Sequence, residues 1–358
     1  VSYNSLAHRT TWLRSDFAQI KRKGIKITLV SSGAINAGVH IMNLTERPQT
    51  IPEKQALAAI GQASLMQIYE DLFSLFDLKC AQILLNHDDF DDRKRLMNFN
   101  HALQALIKYD VVPIINENDT LAVDEIKVGD NDTLASLIVP AVDADMVVLV
   151  SDIDGLYDDN PHTNKDAKLI RDVNGITSEI ENMAKDASSK VGTGGMVTKI
   201  KAAKVCNDYG CAMAIVNGSK ENVLVDLLNG QDVGTYFNGD VGRKLSAREH
   251  WIMYRSMPKG KIIVDTGAKK ALVNNHSSLL PKGIIDVTGN FLISQIVDIV
   301  DENDNLLARG IVNYSSDEIK LIKGLNTSEI ENILNYKDYD EIVHANNLVL
   351  VEGVKNND

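Results

Sequence analysis

Two short polar clusters in the first half of the chain contain side chains suited to binding a small charged molecule. Residues 116–119 read Asn-Glu-Asn-Asp, and residues 130–132 read Asp-Asn-Asp. The first cluster follows a Val/Ile-rich run at 111–115 that is typical of a buried strand, and the second opens a helical pattern. The pattern predicts that both clusters border one polar pocket. The alternative is a turn followed by a helix cap, since Asn and Asp favour both for local reasons.

A glycine-rich stretch further along the chain has the composition of a phosphate-binding loop. Residues 192–195 read Gly-Thr-Gly-Gly and precede a helical pattern that carries Lys199. Glycines let the backbone approach a phosphate closely, a helix start offers free amides, and a lysine supplies a cation. The spacing differs from the Walker motif, so a plain flexible loop is the alternative. A lysine one turn into such a helix is expected to face solvent.

Alternating strands and helices are predicted to position these clusters. The apolar runs that predict strands lie at 25–30, 81–85, 111–115, 146–150 and 212–216. The first of these ends at Ser32 and Gly33, and the fourth ends at Ser151 and Asp152. Ligands of open α/β sheets bind at the carboxyl ends of the strands, which is where the polar residues lie. The fold class predicted is therefore α/β, an αβα sandwich with a mainly parallel central sheet.

The pattern changes in the last third of the chain. Residues 246–259 are polar and carry Trp251 and Pro258, which indicates a linker. Short strands and turns follow, and about 100 residues of this kind predict a small β-rich domain with its own core. The predicted division is 1–245 for the catalytic domain, 246–259 for the linker and 260–358 for the β-rich domain.

Composition excludes several classes of protein. The chain has 358 residues, a net charge of -12 and three cysteines without paired metal-ligand spacing. An acidic chain argues against general nucleic-acid binding, and the unpaired cysteines argue against a disulfide framework or a zinc site and fit a reducing cytoplasm. No run approaches the roughly 20 apolar residues of a transmembrane helix. The acidic run at 88–92 is interpreted as a helix start rather than a metal site.

Together these motifs resemble the glutamate 5-kinases of the amino acid kinase family, in order and spacing along residues 24–240. Residues 278–283 (Ser-Leu-Leu-Pro-Lys-Gly) resemble the PUA domain that bacterial members carry. The resemblance implies transfer of the ATP γ-phosphoryl group to the side-chain carboxylate of L-glutamate, the first step of proline biosynthesis. It also implies that Mg²⁺ enters with ATP. Two alternatives stay open, namely a sibling kinase acting on acetylglutamate or aspartate, and an RNA-interacting protein that uses the PUA-like domain.

The resemblance also implies a role for particular residues. The implied glutamate-binding residues are Ser32, Asn116, Asp119 and Asn131. The implied nucleotide-binding residues are Ser151, Asp152, Thr193, Gly194, Gly195, Met196, Val197, Thr198 and Lys199. Lys199 would neutralise charge on the transferring phosphoryl group, and Asp132 would orient the lysines around that group. No residue is implied as a metal ligand.

Further expectations concern partners and location. A homo-oligomer (a dimer or tetramer) and feedback inhibition by proline are expected, and the composition adds a cytoplasmic location and neither a membrane nor a nucleic-acid partner. Family members begin with a strand that ends in a Lys-x-Gly turn, whose lysine touches the phosphates. Residues 21–24 (Lys-Arg-Lys-Gly) are the similar string near the start, but they lie between a helix and the next strand. The first strand of the family is therefore expected to be missing from the sequence.

Overall fold

A computed structural model describes residues 15–46, 48–86, 88–121, 131–161, 163–186, 195–239 and 245–351. The chain divides into two compact units, residues 1–244 and residues 245–358.

The first unit alternates strands and helices. Its strands are β1 (Leu29–Val30), β2 (Lys79–Leu85), β3 (Val111–Glu117), β4 (Met146–Ser151), β5 (Asp172–Val173), β6 (Ala212–Asn217) and β7 (Gly234–Phe237). Its helices are α1 (described over 15–22), α2 (Ala34–Ile41), α3 (Ile51–Ser74), α4 (Asp88–Asp91), α5 (Arg93–Lys108), α6 (Asn131–Leu137), α7 (Val139–Val142), α8 (Ser178–Asp186), α9 (Met196–Tyr209) and α10 (Val223–Leu228).

The strands form two hydrogen-bonded groups, ordered β1-β3-β2 and β4-β6-β7-β5. Among the strand pairs that the structure describes here, the β6–β7 pair is antiparallel and the others are parallel. Ile114 of β3, Ala214 of β6 and Phe73 of α3 belong to one buried cluster, so the two groups share a core. The predicted α/β fold with a mainly parallel sheet is confirmed.

The predicted strand at 25–30 is too long. In the described structure, pairing with β3 covers Leu29 opposite Ile114 and Val30 opposite Ile115. A run of apolar residues indicates burial, but a strand extends only as far as its ladder of hydrogen bonds to a neighbour. The helix-start interpretation of the acidic run is confirmed for Asp92, because its side chain accepts hydrogen bonds from the backbone N–H groups of Lys94 and Arg95 at the start of α5.

Two glycines bring α2 and α3 unusually close together. A Cβ added at Gly38 would lie 2.0 Å from the carbonyl oxygen of Leu57, and one added at Gly61 would lie 1.8 Å from the carbonyl oxygen of Ala34. Any side chain at either position would therefore push the helices apart. This contact places the middle of α3 against the first turn of α2, which follows the polar turn at Ser32.

The second unit is built around a five-stranded sheet ordered β12-β11-β10-β8-β9. Its strands are β8 (Gly260–Val264), β9 (Ile284–Gly289), β10 (Ile296–Val300), β11 (Leu306–Ile311) and β12 (Leu348–Leu350). Its α-helices are α11 (Ala247–His250), α12 (Thr266–Asn275), α13 (Ser316–Ile322) and α14 (Ile330–Leu334). The β10–β8 pair is parallel and the remaining described pairs are antiparallel. Tyr314 and Phe291 are fully buried in its core, so the predicted β-rich domain has a core of its own.

The segment predicted as a linker is helical over its first part. Ser246 and Glu249 form a capping box that begins α11, and a π-helical turn at Trp251–Arg255 follows. Ile252 and Met253 are buried against Ile296 and Val349 of the second unit. The exact boundaries 1–245, 246–259 and 260–358 stay a prediction. Within the described ranges, no helix has the length and apolar character required to cross a membrane.

Candidate active site

The first wall of the candidate site is the turn between β1 and α2. The Ser31 backbone N–H donates to the Ile115 carbonyl at 2.8 Å, which continues the β1–β3 pairing by one residue. Gly33, at φ 100°, adopts the left-handed conformation that begins α2, so the chain reverses at once and leaves Ser32 exposed. The buried Ser31 hydroxyl shares a hydrogen bond of 3.0 Å with the hydroxyl of Tyr69 on α3. Tyr69 therefore helps to hold the turn that presents Ser32.

The second wall is the carboxyl end of β3. Asn116 is 1% exposed, and its Nδ2 donates to Gln62 Oε1 at 2.9 Å. Its Oδ1 accepts a hydrogen bond from the Glu117 backbone N–H at 2.9 Å. The Asn118 N–H donates to the Leu85 carbonyl at the end of β2, and Asp119 follows as a half-buried residue. The predicted cluster at 116–119 therefore lies at the sheet edge, with Asn116 buried and Asp119 accessible.

An ion pair joins the starts of α6 and α9. Lys199 Nζ lies 2.8 Å from Asp132 Oδ2, and the two side chains are 11% and 18% exposed. The Thr198 hydroxyl lies 3.2 Å from the same Asp132 oxygen and 2.8 Å from the Gly195 carbonyl, and with its one hydrogen it donates to one of them at a time. α6 packs against β1, β3 and β4. The ion pair therefore lies at the start of a helix that contacts strands of both groups.

The expectation that Lys199 faces solvent is wrong, because the residue is 9% exposed. A lysine of an amphipathic helix tends to extend its charged end to water, but here Asp132 offers the ammonium a partner inside the protein. Met196 is buried in the core beneath α9, and Val197 is partly buried against it. These two residues can therefore reach a phosphate through their backbone amides rather than their side chains.

The third wall combines the carboxyl ends of β4 and β6. The Ser151 carbonyl accepts a hydrogen bond from the Gly218 N–H at 2.9 Å, and the Ser151 hydroxyl donates to Asp152 Oδ1 at 3.3 Å. The hydrogen bond from Gly218 places Ser151 and the exposed Asp152 next to the loop that follows β6. Asn131, at the start of α6, is half-buried.

A second charged network joins Asp154, which follows β4, to the residues at the end of β6. Asp154 Oδ1 accepts a hydrogen bond from Asn217 Nδ2 at 2.9 Å and lies 2.8 Å from Lys220 Nζ. The Lys220 ammonium, followed by the Asn217 amide, lowers the pKa of the Asp154 carboxyl. Asp154 therefore stays ionised and holds Lys220 near Ser151 and Asp152.

Part of the predicted site falls outside the described residues, namely Asp130, Thr193 and Gly194. The structure places the Ser32 turn beside the β3 end that carries Asn116, and it places Ser151 and Asp152 beside the loop that follows β6. Asp132 pairs with Lys199 at the start of α6, a helix that contacts β1, β3 and β4. Sequence reasoning missed Gln62, Tyr69, Asp154, Asn217 and Lys220. The sequence signal for them was weak: the loop 217–220 follows a predicted strand, whereas Gln62 and Tyr69 sit inside an ordinary helical pattern.

Comparisons with known proteins identify the class to which this fold and site belong. Residues 7–217 match the amino acid kinase family and residues 260–334 match the PUA domain. The chain belongs to the amino acid kinase family and carries a PUA domain.

Named relatives point to one branch of the family. The glutamate 5-kinase of Thermoanaerobacter sp. is 47% identical over 335 residues, covering 94% of this chain and 90% of that protein. The glutamate 5-kinase of Caldanaerobacter subterraneus subsp. tengcongensis is 48% identical with the same two coverages. The glutamate 5-kinase of Carboxydothermus hydrogenoformans is 44% identical, covering 94% of this chain and 89% of that protein. These similarities do not favour either alternative, the sibling kinase or the RNA-interacting protein.

Proposed function

We propose that this chain transfers the γ-phosphoryl group of ATP to the γ-carboxylate of L-glutamate, giving L-glutamyl 5-phosphate, the first step of proline biosynthesis. The observation that carries the proposal is the Lys199–Asp132 pair, in which a carboxylate at the start of α6 holds a largely buried ammonium at the start of α9. The similarity to glutamate 5-kinases over nearly the whole chain supports the choice of acceptor.

The chemistry requires charge stabilisation rather than a general base. The side-chain carboxyl of glutamate in water has a pKa of about 4.3, so it is an anion at neutral pH and is already a nucleophile. It must approach a phosphate that is also anionic, and catalysis then consists of positioning and electrostatic stabilisation. In this proposal Lys199 neutralises charge on the transferring group. Asp132 fixes the position of the ammonium before the substrates arrive, so little reorganisation is needed during the reaction.

The remaining residues bind the two substrates. The proposed glutamate residues are Ser32, Asn116, Asp119 and Asn131, and the carboxylate of the half-buried Asp119 is proposed to bind the substrate ammonium. The proposed nucleotide residues are Ser151, Asp152, Thr193, Gly194, Gly195, Met196, Val197, Thr198 and Lys199. We add Lys220, because its ammonium lies at the same strand ends as Ser151 and Asp152.

Magnesium is proposed to enter with ATP. In the part of the chain that the structure describes, no group of three or more His, Cys, Asp or Glu side chains could hold a metal ion. Mg²⁺ in nucleotide sites keeps several waters and binds largely through the substrate phosphates. Asp132 and Asp152, which contact the proposed nucleotide residues Lys199 and Ser151, are proposed to accept hydrogen bonds from its waters.

The decisive experiment measures ADP release with a panel of acceptors: glutamate, acetylglutamate, aspartate and UMP. Hydroxylamine traps an acyl phosphate as a hydroxamate, so it distinguishes a carboxyl acceptor from a phosphate acceptor. We expect hydroxamate formation with glutamate and little with the others. A preference for acetylglutamate or aspartate would overturn the choice of substrate while leaving the reaction class intact.

The proposal extends to oligomeric state, regulation, location and partners. We propose a homo-oligomer, either a dimer or a tetramer, to be measured by light scattering of the full chain. We propose feedback inhibition by proline, to be measured as loss of glutamate turnover on proline addition. A cytoplasmic location fits the three free thiols Cys80, Cys206 and Cys211. Nucleic acid is not a proposed partner, because residues 261–358 carry 9 Lys and Arg against 15 Asp and Glu.

A further inference from the structure

Gln62 lies on α3 beside the proposed glutamate site, and no motif marks it as functional. The residue is polar but only 9% exposed. Its Oε1 accepts a hydrogen bond from Asn116 Nδ2 at 2.9 Å. Its neighbour Gly61 is packed against Ala34, the first residue of α2. Because α2 begins directly after the Ser32 turn, Gln62 is held between that turn and the carboxyl end of β3.

The hydrogen bonds around Asn116 determine which end of the Gln62 amide is the donor. Asn116 Oδ1 accepts from the Glu117 backbone N–H, which can only donate. Asn116 must therefore present its Nδ2 to Gln62, and Gln62 must accept through its oxygen. The oxygen and nitrogen of an Asn or Gln side chain are hard to tell apart, but these two hydrogen bonds assign them for Asn116 and Gln62. The Nε2 of Gln62 is left as a donor that Asn116 does not use.

That nitrogen is buried and has no hydrogen-bond partner among the described residues. A buried N–H without an acceptor destabilises a fold, so nearly all such groups in native proteins bind another group, an ordered water or a ligand. A carboxylate is the strongest neutral-pH acceptor in an amino acid, and a donor in a dry site binds it more tightly than one in water.

We propose that Gln62 is a substrate-binding residue whose Nε2 donates a hydrogen bond to a carboxylate oxygen of the bound amino acid. The inference rests on the proposed function, which supplies an acceptor with carboxylates. Asn116, itself one of the proposed glutamate residues, also orients the Gln62 amide, and Gln62 adds the Nε2 contact with the substrate.

Two substitutions distinguish the proposed contact of Gln62 with the substrate from its hydrogen bond with Asn116. Gln62→Glu keeps an oxygen for Asn116 Nδ2 but replaces the spare donor with an acceptor, which repels the substrate carboxylate. Gln62→Met removes both functions at similar volume. We expect both variants to raise the apparent KM for glutamate by about 10- to 100-fold, since a hydrogen bond to a charged group is lost. The KM for ATP should change by less than about 2-fold, because the ATP site is on other strands.

The Glu variant should also show a distinctive pH dependence. Burial raises the pKa of a carboxyl, and a protonated carboxyl again offers an O–H donor. The KM defect of Gln62→Glu should therefore be smaller at pH 6 than at pH 8, whereas that of Gln62→Met should not change. A purely structural role would not produce this difference.

The matched control is Gln67→Met on the same helix, where the exposed Gln67 donates to Asp71 at 2.8 Å. It should leave both KM values unchanged. A direct readout without turnover is the rise in melting temperature on adding glutamate alone, which the Gln62 variants should lose and Gln67→Met should keep. A wild-type glutamate KM in Gln62→Glu, with a normal glutamate-induced shift, would overturn the proposal and leave Gln62 as a support for Asn116.

The acceptor panel keeps the two proposals distinguishable. If the wild-type protein phosphorylates glutamate but the Gln62 variants bind it normally, the inference on Gln62 fails and the proposed function stands. If the wild-type protein prefers another carboxylate acceptor, the function changes, and the same variants are measured against that acceptor.

Discussion

The ammonium of Lys199 and the carboxylate of Asp132 are 2.8 Å apart, although they lie 67 residues apart in the chain. Each side chain is largely removed from water, and each would be an uncompensated charge without the other. The pair therefore stabilises the fold, and in the proposed function it also holds the Lys199 ammonium in position for catalysis.

Lys199→Ala should lower turnover by about 10²- to 10³-fold, the usual effect of removing one preorganised charge from an active site. It should also lower the melting temperature, because Asp132 loses its partner. The double variant Lys199→Ala with Asp132→Asn should recover the melting temperature but not the turnover. Lys201→Ala, on the same helix at an exposed position, is the matched control. Normal turnover in Lys199→Ala would contradict the catalytic assignment.

Asp119→Asn should weaken glutamate binding much more than ATP binding. An amide replaces a carboxylate poorly as partner for an ammonium, with a loss of about 1.5 to 3 kcal/mol, or about 10- to 150-fold in affinity. Thermal-shift titrations with each ligand give the two affinities. Thr120→Ala, at the exposed next residue, serves as control. Equal weakening of both ligands would mean that Asp119 supports the scaffold and does not face the ammonium.

Lys220→Ala should raise the KM for ATP with little change in turnover or in the KM for glutamate. The reason is that Lys220 lies on the loop after β6, whose Gly218 N–H bonds to Ser151 of the proposed nucleotide site. Because its side chain is half exposed, the effect should be a few-fold and should shrink as salt is added. Lys204→Ala, which breaks a comparably exposed pair with Glu181, is the matched control. A selective change in the glutamate KM would argue against the nucleotide assignment.

Asp301 should make the second unit sensitive to acid. Burial alone would raise the pKa of this carboxyl, but the Lys269 ammonium and the Asn305 side chain and backbone outweigh it and lower the pKa to about 2. A depressed folded-state pKa means that the stabilisation is present above the ordinary value near 4 and is lost as the pH falls toward 2.

The measurement is the difference in melting temperature between the wild-type protein and Asp301→Asn. It should be constant from pH 7 to 5 and decrease between pH 4 and 3. Asp304→Asn, on the same turn with a 68% exposed carboxylate, is the control and should change the melting temperature little. A difference that grows as the pH falls from 5 to 3 would contradict the assignment.

The sequence alone determined the order of the elements and the chemical character of the strand ends. Apolar runs predicted β3 and β4, because hydrophobic period and the tendency to be buried are local properties of the chain. The Asn/Asp cluster after β3 was visible for the same reason: polar residues that follow a buried strand must emerge at a sheet edge.

Tertiary structure decided which of those side chains meet. Gln62 contacts Asn116 across 54 residues, and no periodicity records that relationship. Lys199 is buried because α6 brings Asp132 to it, whereas its own helix pattern predicted a solvent-facing lysine. Gly61 is needed because α2 lies against α3 at that residue. Local patterns specify which side chains each helix or strand exposes. Which of those side chains meet depends on strand pairing and helix packing, because both are made by contacts between distant parts of the chain.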